Sequence, residues 1–326
     1  MKACIYGAGA IGGWIGLRLA KAGCDVSVVA RGATLDAIRT GGLSLTQSAT
    51  GQTDTAKVRA SSSPAELGVQ DLVVIAVKAP SMADVASAIA PLLGPDTIVL
   101  TAMNGVPWWF FEGFGGKYQG TRLEAVDADG RIARLVPAKS IVGCVVHASC
   151  SLDAPGRVRQ HFGNKLIIGE PSGERTARVR ELAALLERAG FETVIADQIQ
   201  KDAWFKLWGN MTMNPISALT GATTDLVLDD ELVRGFIGKV MLEAKEIGAR
   251  IGIPIEQQPE DRHAVTRKLG AFKTSMLQDV EAGKPVELDA LVTVVKELGA
   301  LTAVATPYTD ALLGLSRLHS QVLGLY

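Results

Sequence analysis

A chain of 326 residues is long for one ordinary core and suits two domains of comparable size. Its 48% hydrophobic and 21% charged residues are the balance of a globular protein, and 35 glycines with only 5% aromatics lean toward an α/β chain with many tight turns. A formal net charge of −1, with no basic block at either end or inside, argues against nucleic acid or an anionic membrane as the main partner.

The longest apolar runs, such as Leu72–Val77, are too short to span a bilayer. A glycine-rich turn begins at Gly7, which leaves no room for a signal peptide and sets the expectation of a cytoplasmic protein. Cys4, Cys24, Cys144 and Cys150 lack the spacing of a metal knuckle or redox pair, and Cys4 and Cys144 sit in apolar strand-like runs, so buried thiols and no disulfide framework are expected. His147, His161, His263 and His319 show no metal-ligand spacing, and no metal centre is expected.

In chain order, Lys2–Tyr6 reads as a strand, Ala10–Ala22 as a helix and Asp25–Ala30 as a second strand. Asp71–Val77 and Thr97–Ala102 are buried strands flanking a helical stretch at Ser81–Leu93. Strands spaced by helices imply βαβ units and a parallel, doubly wound Rossmann-type sheet. Ser140–His147, Val158–His161 and Lys165–Gly169 read as later, partly antiparallel strands, and Glu174–Gly190 as an amphipathic helix. After Asp197 strand signals stop and long helical periods take over. The expected organisation is a dinucleotide-binding domain over 1–196 and an all-helical substrate domain over 197–326.

Gly7-Ala8-Gly9-Ala10-Ile11-Gly12 is a GxGxxG set between a strand and a helix. The first glycine serves the tight turn, the second lets backbone approach a pyrophosphate, and the third lets helix pack close to strand. The second strand ends in Val28-Val29-Ala30-Arg31, with Arg31 where an NAD enzyme carries an acid for the ribose 2′-hydroxyl. A guanidinium there suits a 2′-phosphate, so NADP(H) is the expected cofactor. The alternative is an exposed loop arginine. Lys78 and Asn104 follow two further strands on the same rim, where ligands of such sheets bind.

Between Trp204 and Pro215, Lys206, Asn210 and Asn214 share a stripe about 80° wide on a helix. An ordinary surface helix carries several charges on its polar face. This one has a lysine and two amides, the composition of a cleft lining rather than a solvated face. Pro215 predicts that the helix ends or kinks at Asn214. Lys273–Asp289 reads as a helix closed by Gly283 and a new one beginning after Pro285, and spacing alone assigns no role to Ser275 or Glu287.

Taken together, these segments resemble the ketopantoate reductase family over nearly the whole chain. The likeness runs through GAGAIG, Arg31, Val77-Lys78-Ala79, Asn104-Gly105, Lys206-xxx-Asn210-xxx-Asn214-Pro215, and Ser275-Met276-Leu277-Gln278-Asp279 leading to Glu287-Leu288-Asp289. The resemblance implies NADPH-dependent reduction of a 2-oxo acid, by default ketopantoate. It implies Lys206 as proton donor, with Asn104, Asn210, Asn214 and Ser275 at the substrate. It also implies that Asn104 and Glu287 lie beside the nicotinamide and its ribose, and that Ser149 touches the cofactor through its backbone. The partner expected is a small-molecule 2-oxo acid, with a homodimer left open.

Four features depart from the family pattern. Ser81 stands where glutamine is frequent, Thr224 where a substrate-binding asparagine is found, and Val292-Thr293 where asparagine-glycine is common. The fourth is Trp108-Trp109-Phe110-Phe111, which opens a segment longer than the simple helix expected there. That run is expected either to wall the substrate pocket or to lie buried under its own insertion or a dimer contact.

Overall fold

The structure, a computed structural model, describes residues 1–326. Its first strands form where unbroken apolar runs can be buried on both faces of a sheet. These are β1 (Lys2–Tyr6), α1 (Ala10–Lys21), β2 (Asp25–Val29) and α2 (Gly32–Gly41), then β3 (Leu43–Gln47), β4 (Thr53–Ala56) and β5 (Arg59–Ser61). There follow β6 (Leu72–Ile75), α3 (Met82–Ala88), β7 (Ile98–Thr101), α4 (Arg131–Leu135), β8 (Ile141–Ala154), β9 (Arg157–Gly169), α5 (Ala177–Arg188) and β10 (Glu192–Ile195). Every residue of β6 and β7 is buried.

The sheet runs β4-β3-β9-β8-β7-β6-β1-β2-β5, with β10 also paired to β9. From β5 to β8 all neighbours are parallel, whereas β8 and β9 form an antiparallel hairpin with Gly156 at φ +72° in its turn. The two later strands expected at Val158–His161 and Lys165–Gly169 are one, continuous through Gly163 at φ +77°. Helix α2 and strands β3, β4 and β5 carry no sequence expectation. β4 is the plainest case, because its half-exposed Thr-Asp-Thr-Ala has no apolar period.

From Ile199 the chain is helical: α6 (Ile199–Thr220), α7 (Thr224–Asp229), α8 (Glu231–Ile251), α9 (Pro259–Arg267), α10 (Ser275–Glu281), a π-helical turn at Asp289–Thr293, α11 (Val294–Thr302) and α12 (Pro307–Val322). Asp230 caps α8 by accepting from the amides of Leu232 and Val233, and left-handed Gly252 ends it. Helix α6 does not end at Asn214. It runs through Pro215 to Thr220, since proline costs one intrahelical hydrogen bond and the helix is otherwise held by packing on buried Trp208, Met211 and Ile216.

The chain divides into two compact units. The first contains Met1–Met103, Trp109–Thr121 and Gly130–Ile199; the second contains Asn104–Trp108, Arg122–Asp129 and Gln200–Tyr326. In the first, Trp109 packs at Gly143, where a Cβ would come within 2.5 Å of the indole, and its Nε1 donates to Thr101 Oγ1 at 3.1 Å. Phe110 and Phe111 cluster with Phe114 and Tyr118. All four residues of the aromatic run are buried, which favours burial over a pocket wall. No helix is long and apolar enough to cross a membrane. All four cysteines are free, and burial pushes the Cys4 thiol up to about 11 and Cys150 up to about 12.

In the second unit His263 is buried, and its Nε2 finds no partner. Burial holds its pKa below 6.5, with Arg234 and Arg267 adding to the depression and Glu260 opposing it. The folded state therefore keeps His263 neutral where the unfolded chain binds a proton. This contribution to stability is complete above about pH 6.5 and is lost as pH falls below that value. Thermal unfolding scans between pH 7.5 and 5.5 should show a steeper fall of Tm in the parent than in His263→Leu. Parallel curves would show that His263 contributes nothing to the slope.

Candidate active site

Register fixes one rim of the first unit. Tyr6 pairs with Val29 and with Ile75, and Ile75 with Thr101, so β1, β2, β6 and β7 end level. The turn at Gly7, Arg31 after β2 and Lys78 after β6 therefore leave the same edge. Gly7 has φ +96°, and a Cβ there would strike Val77 Cγ1 at 2.6 Å. A Cβ on Gly12 would collide with the Gly7 carbonyl oxygen, so these two glycines are demanded by packing alone. Gly9 differs, because a Cβ there meets nothing within 4 Å.

Gly9 is the N-cap of α1, which has no side-chain cap and no acid in its first turn. Open space, unshielded amides and a helix N-terminus together suit a pyrophosphate, with Ala8, Ala10 and Ile11 completing the turn. Arg31 is the N-cap of α2, exposed, and makes no ion pair within the chain. Its charge reaches Tyr6: burial raises the tyrosine pKa, and the guanidinium pulls it partly back. Lys78 precedes the turn at Ala79–Ser81. Ser149 lies six residues beyond Gly143, the residue of β8 that pairs with Thr101, and sits at irregularities in the β8–β9 ladder.

The second unit assembles its polar groups from remote segments. Gly105, at φ +85°, lies so close to the Ala290 carbonyl that no side chain fits, and Val106 N donates to that same oxygen at 2.9 Å. This holds Asn104 so that its Oδ1 accepts from Lys206 Nζ at 2.9 Å, across 102 residues of sequence. Further along the stripe Asn214, 6% exposed, donates from Nδ2 to Ser275 Oγ at 3.4 Å. Ser275 opens α10, whose N-cap Thr274 accepts from Leu277 N. Asn210 lies between Lys206 and Asn214 on α6, half-buried. Glu287 is buried and stands just before the π-turn that carries Ala290.

Lys206, Asn104, Asn210, Asn214 and Ser275 thus belong to one unit, and their donors and acceptors suit a polarised carbonyl. No group of three or more His, Cys, Asp or Glu side chains could hold a metal ion. Thr224 is buried, with its hydroxyl given to the Gly270 carbonyl at 2.8 Å. Two features had no reading in the sequence. Glu297 accepts from the amides of Glu124 and Ala125, anchoring that loop to the helical unit. Arg262 of α9 lies over the Phe205 ring at 5.3 Å and against Gly209 of α6. A single arginine in a charged helix carries no sequence signal that separates it from a solvated one.

Known proteins resemble the chain along its whole length. The family model Ketopantoate reductase PanE/ApbA matches residues 3–173, and its C-terminal counterpart matches 198–320. A 2-dehydropantoate 2-reductase of Mesorhizobium japonicum is 46% identical over 327 residues, covering 100% of both chains. A crystal structure from Ralstonia solanacearum, assigned to the ketopantoate reductases, is 57% identical with a TM-score of 0.95, covering 100% of this chain and 99% of that one. A second, from Ralstonia eutropha and described as a PanE/ApbA family ketopantoate reductase, is 27% identical with a TM-score of 0.85, covering 99% and 100%.

Gly9→Val separates packing from binding at the glycine turn. The backbone at Gly9, φ −72°, accepts any residue, and the new side chain enters open space. The variant should unfold at nearly the parent temperature while binding NADPH or NADH at least about a hundredfold more weakly in a fluorescence titration. Undiminished binding would move the pyrophosphate elsewhere.

Proposed function

Because this chain belongs to the ketopantoate reductase family, and is thus an oxidoreductase, we propose that it is an NADPH-dependent 2-oxo acid reductase. Its foremost substrate is 2-dehydropantoate (ketopantoate), reduced to pantoate. The observation that carries this reading is the Lys206–Asn104 hydrogen bond beside an uncharged amide stripe. On this reading Gly7, Ala8, Gly9, Ala10, Ile11 and Gly12 hold the pyrophosphate, Arg31 the 2′-phosphate, and Lys78, Asn104, Ser149 and Glu287 further parts of the cofactor. Bound NADPH supplies the hydride.

The chain's own residues supply the rest. Reduction of a ketone builds negative charge on its oxygen, and an ammonium aimed at that oxygen stabilises the charge and then delivers a proton. Asn104 fixes the Lys206 side chain by accepting from its ammonium. Asn210, Asn214 and Ser275 orient the 2-oxo acid with neutral donors and acceptors. A soluble cofactor and substrate suit a cytoplasmic setting. One observation favours a different 2-oxo acid: the Thr224 hydroxyl is committed to backbone where family members offer a substrate-binding asparagine. Comparing kcat/KM across a panel of 2-oxo acids decides between them.

Two substitutions test the assignment. Arg31→Asp removes a charge-assisted contact and places a carboxylate against the 2′-phosphate. The parent should prefer NADPH over NADH in kcat/KM, and the variant should reverse or erase that preference. A parent that prefers NADH removes Arg31 from the cofactor. Lys206→Ala should keep NADPH binding near the parent value while kcat falls at least about a hundredfold. A variant that keeps most of its kcat would leave the reaction without its acid.

A further inference from the structure

Arginines that are half-buried in this protein are, with one exception, matched by acceptors. Arg178 forks onto the buried Glu170 carboxylate and also reaches the Lys139 and Ile141 carbonyls. Arg18 donates to Asn164 and Gln160 side chains and the Gly190 carbonyl. Arg159 forks onto Asp153, and Arg234 caps the Leu228 carbonyl. Arg262 is the exception. Its Nε is buried without a partner, while its terminal nitrogens are not among the buried, unmatched atoms. Burial alone pulls its pKa down, with no nearby carboxylate to raise it. An unmatched buried Nε costs free energy, and the terminal nitrogens remain open to an incoming acceptor.

The position of the guanidinium says what that partner is. It stacks on Phe205 and presses on the Gly209 backbone, where a Cβ would come within 2.6 Å of Nε and 3.0 Å of Nη2. Phe205 and Gly209 are one turn apart on α6, and each immediately precedes a stripe residue, Lys206 and Asn210. The arginine therefore occupies the face of α6 next to the lysine–amide stripe, roughly 100° around the helix. Glycine at 209 is what admits it. A 2-oxo acid presents two groups at once, a ketone oxygen and a carboxylate on the adjoining carbon. Lys206 answers the first, and the stripe offers only neutral amides to the second.

We propose that Arg262 is the specificity-determining residue that takes the carboxylate of the 2-oxo acid, by a bidentate guanidinium–carboxylate pair, in a slot opened by Gly209. This rests on the 2-oxo acid reading above and assigns its anion-binding residue. A planar fork matches a carboxylate in both charge and shape, and stacking on Phe205 holds the fork in one plane.

The test compares a short 2-oxo acid with its methyl ester, using NADPH, in the parent and in Arg262→Gln. For the acid, KM should rise roughly 30-fold with kcat held within about threefold, while the ester's KM stays unchanged. Oxalate, as a probe that needs no turnover, should raise the parent's Tm and leave that of Arg262→Gln where it was. Equal changes for acid and ester, or oxalate protection that survives the substitution, would make Arg262 a packing residue and overturn the proposal. Should the glutamine variant not fold, Arg262→Lys decides: a several-fold KM rise for the acid alone supports the fork, and an unchanged KM overturns it. A parent that reduces no 2-oxo acid defeats the functional reading, and the oxalate arm still decides the role of Arg262.

Discussion

One backbone contact gathers the polar groups of the helical unit. Gly105 can approach the Ala290 carbonyl only because it has no Cβ and tolerates a positive φ, and Val106 N then closes a hydrogen bond to the same oxygen. That contact joins the segment leaving β7 to the π-helical turn after Glu287. Asn104 is thereby delivered to Lys206, and three stretches of chain, near residues 104, 206 and 290, meet. A π-turn holds one more residue per turn than an α-helix, which alters the direction in which a carbonyl points. The constraint is local, and through Asn104 it reaches the lysine of the stripe.

Much of this was legible in the chain. The parallel strands could be read because their runs are apolar throughout, and the glycine turn because it falls between strand and helix. The stripe on α6 could be read because a lysine and two amides at spacing four are poor material for a solvated face. What could not be read depends on contacts between remote residues. Strands β3, β4 and β5 borrow their stability from neighbours, so their own sequences need no pattern: Thr46 and Gln47 pair with Arg159 and Gln160 of β9. Pro215 does not end the helix, for a related reason. A proline deletes one hydrogen bond, but packing against several buried side chains on α6 outweighs it.

The aromatic run shows how composition can be read two ways until partners are known. Trp109 finds a glycine beneath it at 143 and a threonine hydroxyl for its indole nitrogen. Phe110 and Phe111 find each other, Phe114 and Tyr118, in edge-on and stacked arrangements. None of these partners follows from Trp-Trp-Phe-Phe itself. Trp109 thus packs on the sheet, Phe110 and Phe111 belong to a small apolar cluster within the segment, and Trp108 is buried in the helical unit.

The electrostatics of the helical unit follow from how few charges the stripe spends. Neutral amides inside a protein bind by geometry and impose no net field, so the one ammonium among them acts on whatever lies nearest. An arginine on the next face whose buried Nε has no acceptor would normally be a fault, because a buried donor without a partner is costly. Here it stacks on Phe205, which immediately precedes Lys206 on α6. On the proposal above, an incoming carboxylate would receive its fork. Gly209, having no side chain, is what lets the guanidinium lie against the α6 backbone at that point.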